Sequence, residues 1–455
     1  METPQTSWRA APQGGLFAVI LFCLMVLLMV LPEGLDYSRL AAAAVVGARP
    51  DAATATGGNL VTPMLWLLLC FGSCWLLAAR HALARQLLVQ VNPWLVGILA
   101  LAGLSLGWSI DPALSLRRLF RMVVIVLCIG SLVLSGWTHG RLLTVLRRLL
   151  TSLLAASLIF GVLQPAYAIH RELSPELLGA WRGLASHKNA FGGLSALACL
   201  LWLQAASGRK RQAAPAIAGA AIAVLCLWLS RSSTAVLAAG VGGMFVLSFA
   251  RARGARRRKL GVATTLLVSS AVLAGLGSVK LLPGWSLLSA PVALAAGKDT
   301  SLTGRTVIWE VVRDHIALRP LLGSGYGAYW QPDRRIASES AAILSRLGGF
   351  YPGTAHNGYL DLTNDLGFGG LLLLLGFILR HARDAVQLAG TDWSGALPWL
   401  AVLLQQCVTN LSESHWFNVT SVDFVFMSAA SLELSRQRLQ AEFERIHGPA
   451  PRDTR

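Results

Sequence analysis

RARGARRRKLGVATTLLVSSAVLAGLGSVKLL, residues 251–282, sets six positive side chains against an almost wholly apolar run from Leu260 to Leu282. A run of that length matches the roughly 20 residues that cross a hydrocarbon core, and a basic cluster beside it is retained on the cytoplasmic side. The same pairing recurs along the chain. Apolar runs at Leu16 to Leu31, Phe191 to Ala206 and Ala213 to Leu229 are separated by basic clusters at Arg80 to Arg85, Arg141 to Arg148 and Arg209 to Arg211. Of the 455 residues, 55% are hydrophobic and 13% charged, against roughly 25% charged in a soluble domain. The net charge of +17 therefore encodes topology, and nucleic acid is not an expected partner. Backbone groups inside lipid must pair within their own segment, and no strand alternation is visible, so the expected fold is all-α and polytopic.

With the basic clusters inside, twelve spans are expected near 16–32, 60–79, 87–106, 119–137, 149–168, 190–206, 213–229, 233–250, 260–281, 357–380, 396–411 and 417–434. Both termini then lie in the cytoplasm, and residues 1–455 form a single membrane domain. Leu40 to Ala48 is apolar but too short to cross, and is read as an outer half-helix or re-entrant element; the first span is read as a retained anchor rather than a signal peptide. Residues 282–355 form one large outer loop. Within it, Val307, Ile308, Val311, Val312, Ile316 and Leu318 are spaced for an amphipathic helix lying on the membrane surface. Gly323, Gly325 and Gly327 suggest a flexible turn, and Tyr329 and Trp330 suit an interfacial belt. All seven cysteines fall in apolar runs, so no disulfide framework is implied, and Cys70 and Cys74 lack the His or carboxylate that a metal pair would need.

Polar islands in so apolar a chain are the candidates for chemistry. Arg231 lies in Ser230-Arg231-Ser232 between two long uncharged runs. A charge placed there is either an Arg snorkelling from a short outer turn or a ligand for a lipid-borne anion. Arg305 follows Thr303-Gly304 at the start of the amphipathic helix, where free N–H groups favour phosphate; a solvated Arg at a helix start is the plainer reading. His356, in Ala355-His356-Asn357-Gly358, could accept a proton from a sugar hydroxyl near neutral pH or act as a structural hydrogen-bonding residue. Ser186-His187-Lys188-Asn189 and Ser412-Glu413-Ser414-His415 fall on the same outer side.

Taken together, Ser230-Arg231-Ser232, Thr303-Gly304-Arg305 with Trp309, His356-Asn357 with Leu360, Ser412-Glu413-Ser414, Trp108-Ser109-Ile110-Asp111-Pro112 with Arg117-Arg118, and His187-Lys188-Asn189 resemble the O-antigen ligase and Wzy-type polysaccharide polymerase superfamily. The resemblance extends over roughly residues 95–435 and leans toward exopolysaccharide polymerases. It implies a GT-C-like membrane fold and an inverting glycosyltransferase of the bacterial inner membrane with its site facing the periplasm. The implied donor is an undecaprenyl-diphosphate-linked glycan, and the acceptor is a glycan or lipid A core; neither metal nor other cofactor is implied. Arg231 and Arg305 would hold the diphosphate and His356 would orient or deprotonate the acceptor hydroxyl, with Asn357, Glu413, Lys188 and Arg182 as further contacts. Membrane lipids, a flippase and a chain-length regulator are the other partners implied. A transporter or lipid flippase is the competing class, and Asp365 beside Asn364 inside the tenth span is the feature that favours it.

Overall fold

A computed structural model describes residues 14–32, 60–135, 141–171, 177–207, 213–250, 259–281, 305–330 and 352–447. Their regular structure is helical, with one isolated bridge between Ile169 and Trp181 and no strand among the described residues. Leu40 to Ala48, the basic cluster at 251–258 and most of the outer loop lie outside them.

The first half of the chain supplies α1 (Gly15–Val30), α2 (Val61–Ala79), α3 (His81–Gln90), α4 (Pro93–Leu104), α5 (Pro112–Leu134) and α6 (Arg141–Leu163). The second half supplies α7 (Lys188–Ala206), α8 (Ala213–Ser230), α9 (Ser233–Phe249), α10 (Leu260–Ser278), α11 (Arg305–Leu318), α12 (Gly358–Leu388), α13 (Trp393–Thr409) and α14 (Val422–His447). Five of them (α2, α6, α7, α10 and α12) are long and apolar enough to cross a membrane. Phe71, Trp75, Val162, Trp228, Leu266 and Leu372 are exposed, as large apolar side chains facing lipid would be.

The third expected span, 87–106, is not one helix. Pro93 has no N–H and fixes its own φ, so the chain breaks at Asn92-Pro93 and α3 meets the following helical segment at a bend of 96°. Asn92 caps the new helix through Trp94 N at 3.1 Å.

α7 packs along α8 and α9, α9 against α13, and α12 lies between α4, α11 and α13. The expected amphipathic helix forms as α11, but protein covers its apolar face: Ile308, Trp309, Val311, Val312 and Ile316 are buried against Val279, Tyr329, Trp330, Ala355 and Leu360. Only Val307 and Leu318 of the predicted stripe stay exposed. Tyr329 and Trp330 are likewise buried, with the Trp330 indole donating to Asp361 at 2.7 Å, so they are core residues rather than a belt.

The glycine turn is locked rather than flexible. Gly323, Gly325 and Gly327 all have positive φ and press against Asp365, Ser109 and Arg118, leaving no room for a side chain. This turn repairs a break in α12, where Gly367 adopts φ 66° and ψ −169°. The carbonyls of Asn364 and Asp365 accept from Ser324 N and Gly325 N, both at 3.0 Å, and Phe368 N donates to Pro320 O at 2.8 Å. Asp365 itself accepts from Gly327 N at 2.9 Å. It is thus tied to the turn by a hydrogen bond, which gives the buried carboxyl a structural explanation.

Candidate functional site

Three of the polar islands sit at helix starts. His187 caps α7, its ring accepting from Asn189 N at 3.2 Å; burial, aided by His170, pushes its pKa down to about 4 and keeps the ring a neutral acceptor. Ser232 caps α9 through Ala235 N at 3.4 Å. Asn357 caps α12, its side-chain oxygen accepting from Tyr359 N at 3.1 Å and Leu360 N at 3.0 Å. Polar residues at these points satisfy orphan helix N–H groups and bring three helix starts to the same rim.

Glu413, on the turn between α13 and α14, is the hub. Asn189 Nδ2 donates to its carboxylate at 2.7 Å, Arg305 lies 3.7 Å away and His356 Nδ1 3.7 Å. Arg305 also donates to Ser412 O at 2.8 Å, and the Ser412 hydroxyl meets that of Thr234, at the start of α9, at 2.6 Å. Lys188 Nζ donates to Arg231 O at 3.5 Å, and exposed Arg231, with φ 50°, donates to Leu178 O at 2.9 Å. Arg305 is therefore in the Glu413 group itself, while Arg231 joins it through Lys188 and its neighbour Asn189. Burial pushes the Glu413 carboxyl up, but His356, His415 and Arg305 outweigh it and hold the group below the ordinary carboxylate range.

The other two named residues have different tasks. Asn357 is fully buried; its amide donates to Leu411 O at 3.2 Å and Gly275 O at 3.4 Å, so both ends of the side chain are spent on packing α12 to its neighbours. Arg182 is buried in the segment after α6 with Nε on Tyr167 O at 2.8 Å. The Asp111-Pro112 motif proves to be a helix start: Asp111 accepts from Leu114 N at 2.9 Å. Ile110 N adds a bond to Ser324 O of the glycine turn, also at 2.9 Å.

Sequence reading missed Asp423. It is buried at the start of α14, with Oδ2 2.8 Å from His415 Nδ1 and Oδ1 accepting from Gln406 Nε2 at 2.6 Å. Its only sequence signal was a carboxylate in an otherwise apolar stretch. His415, Glu413, Thr354 and Ser186 line a cavity of about 170 Å³. Met29, Ser186 and Thr420 are common to that cavity and to a larger, mainly apolar groove of about 620 Å³ lined by α1, α2 and Arg121.

Residues 218–375, the stretch that contains Arg231, Arg305 and His356, match a family model described as O-Antigen ligase. The chain is 29% identical over 297 residues to an exopolysaccharide production protein, ExoQ, of Rhizobium meliloti (strain 1021). That likeness covers 62% of this chain and 62% of the relative, less than two thirds of its length. These two likenesses bear out the resemblance to the O-antigen ligase and Wzy-type polymerase superfamily that the short motifs carried.

Proposed function

We propose that this chain is a glycosyltransferase of the bacterial inner membrane that polymerises polysaccharide at the periplasmic face. In this reading it has twelve spans in a GT-C-like arrangement with both termini cytoplasmic, and it takes its donor from undecaprenyl diphosphate. The observation that carries the reading is the convergence of Arg305 and His356 on Glu413, with Lys188 and Arg231 on the same rim.

The chemistry follows from that convergence. An acceptor hydroxyl attacks the anomeric carbon from the side opposite the diphosphate, which inverts the centre. The acceptor hydroxyl's proton passes to His356, and the carbon–oxygen bond to the diphosphate breaks with its electron pair leaving with the phosphate. Fixed cations of Arg305, Arg231 and Lys188 meet that developing charge, which is electrostatic stabilisation of the transition state. Glu413 orients Arg305 and His356; the ion-pair spacings of 3.7 Å are long enough for both partners to turn toward a stronger anion.

Purified protein given a lipid-diphosphate-linked oligosaccharide alone should produce a ladder of longer glycans. Product only when lipid A core is added favours the second reading, an O-antigen ligase, which the description of the matched family supports. Lack of transfer under both conditions would overturn glycosyl transfer and return weight to the transporter class.

A further inference from the structure

His356 owes its place to its backbone. Its Nδ1 stands 3.7 Å from Glu413, beyond hydrogen-bond reach, so no bond at that atom fixes the ring. The chain around it is held at each residue. Ala355 N donates to Asp361 Oδ2 at 2.9 Å, and Ala355 O accepts from the Trp309 indole at 2.9 Å. His356 N turns back to Thr354 Oγ1 at 3.3 Å, and Asn357 N donates to Ser414 Oγ at 3.1 Å. Between these bonds His356 takes φ 51°, a left-handed conformation that is strained for a residue with a Cβ. Strain of this kind persists only where the surroundings over-determine it, and it gathers at functional sites.

We propose that Asp361 is a positioning residue for the glycosyl transfer, with Trp309 as its counterpart. Together they clamp Ala355 through its N–H and its carbonyl, and so hold His356 at a fixed spacing from Arg305. This rests on the transferase reading above, in which His356 takes the acceptor proton, and adds to it the two groups that keep His356 in place. Both act through the Ala355 backbone rather than on substrate.

Asp361 suits the task because it has two partners. Its second oxygen accepts from Trp330 Nε1 at 2.7 Å, so the carboxylate joins the His356 turn to the residues that follow the glycine turn. Trp309 makes the matching link from α11. It lies four residues, about one helical turn, after Arg305, and its bond to Ala355 O ties that helix to the His356 turn. Ala355 is fully buried, and Trp309 and Trp330 nearly so, so water does not replace a bond that is lost. A displacement of ~1 Å in a reacting group can cost ~10²-fold in rate, and the spacing between cation and proton acceptor must therefore be held closely.

The test is transfer by full-length protein with lipid-diphosphate-linked oligosaccharide, read as kcat per folded molecule and donor KM, with the melting temperature measured in parallel. Asp361→Ala should lower kcat by about 10–10²-fold and leave donor KM within about threefold. Trp309→Phe removes the indole N–H from the carbonyl of Ala355 and should lower kcat in the same sense; it carries the test if Asp361→Ala does not accumulate. Trp330→Phe breaks the other bond of Asp361, and it should lower the melting temperature while kcat stays within about threefold. In a His356→Ala background, Asp361→Ala should slow the residual transfer by less than about threefold, because its effect runs through the missing imidazole, while its cost in melting temperature persists. Native kcat in both Asp361→Ala and Trp309→Phe would overturn the proposal. So would a loss of the same size in Trp330→Phe, or an equal loss from Asp361→Ala with and without His356, since each is the mark of general loosening. An unsubstituted chain that transfers no glycan overturns the transferase reading and the clamp with it, whereas native transfer in the clamp variants overturns the clamp alone.

Discussion

α12 carries a charged cluster near each end, and the two are built on opposite principles. Toward its C-terminus, Arg380 Nε donates to both oxygens of Asp384 at 3.0 and 2.9 Å, and Arg438 of α14 adds a third bond at 2.9 Å. Nearby, Arg436 makes two bonds to Glu433, at 2.9 and 2.7 Å. At the other end of α12, Arg305 and His356 approach Glu413 at only 3.7 Å. Charges that hold helices together saturate one another; charges at the rim keep capacity for an anion that arrives from outside. The distance and saturation of the pairs, rather than the residue types, separate the two tasks.

Substitutions can break that contrast or sharpen it. The largest expected effect is on rate: Arg305→Ala should reduce glycan transfer by about 10²–10³-fold, the size associated with losing one fixed donor to a developing charge. Its melting temperature should stay within a few degrees. A variant that transfers normally would place Arg305 among the structural charges. Next is Asp384→Ala, which leaves Arg380 and Arg438 without their shared carboxylate. Both arginines keep about a quarter of their side chains exposed. The expected loss is therefore about 2 kcal/mol of stability, below that of a fully buried pair. Transfer per folded molecule should be unchanged, and a selective loss of turnover would blur the distinction between the ends.

A smaller loss, about 1 kcal/mol from the cap alone, is expected of Asn357→Ala, read as a lower melting temperature. Donor affinity should hold, and a raised donor KM would mark Asn357 as a ligand after all. The smallest effect is in pH. Glu413 has a lowered pKa, so the stability that its charge provides is complete above its unfolded value and is lost as pH falls through the lower folded one. The melting-temperature gap between native protein and Glu413→Gln should thus be flat from pH 7 to 5 and narrow below about 4.5. A gap that closes between pH 7 and 5 would show the carboxyl to be easily protonated and the hub weak.

Much of this was legible from hydropathy. Apolar runs bounded by basic clusters marked where helices lie, since a chain in lipid has few ways to pair its backbone. What escaped was local backbone geometry. The turn at Asn92-Pro93 and the break at Gly367 both fall inside stretches read as continuous spans, although Asn92-Pro93 and the Asn364-Asp365 pair before Gly367 are the signals that announce them. The rim residues Arg305, His356, Lys188 and Glu413 stood out because charge is costly in such a chain. Asn357 stood out for the same reason, yet its polarity serves a cap and two carbonyls. Asp423 stayed hidden because its partner lies across a turn, and pairing of this kind is written in space rather than in spacing.

The bonds from residues 320–325 to the backbone on either side of Gly367 have a consequence for engineering. The glycine-turn segment acts as a splice, supplying the donors and acceptor that α12 forfeits where its ladder stops. Exchanging this loop between relatives would therefore succeed only if the glycine turn travels with the broken stretch it mends. A graft of either piece by itself would strand peptide groups in hydrocarbon, at a cost of several kcal/mol for each group left unpaired.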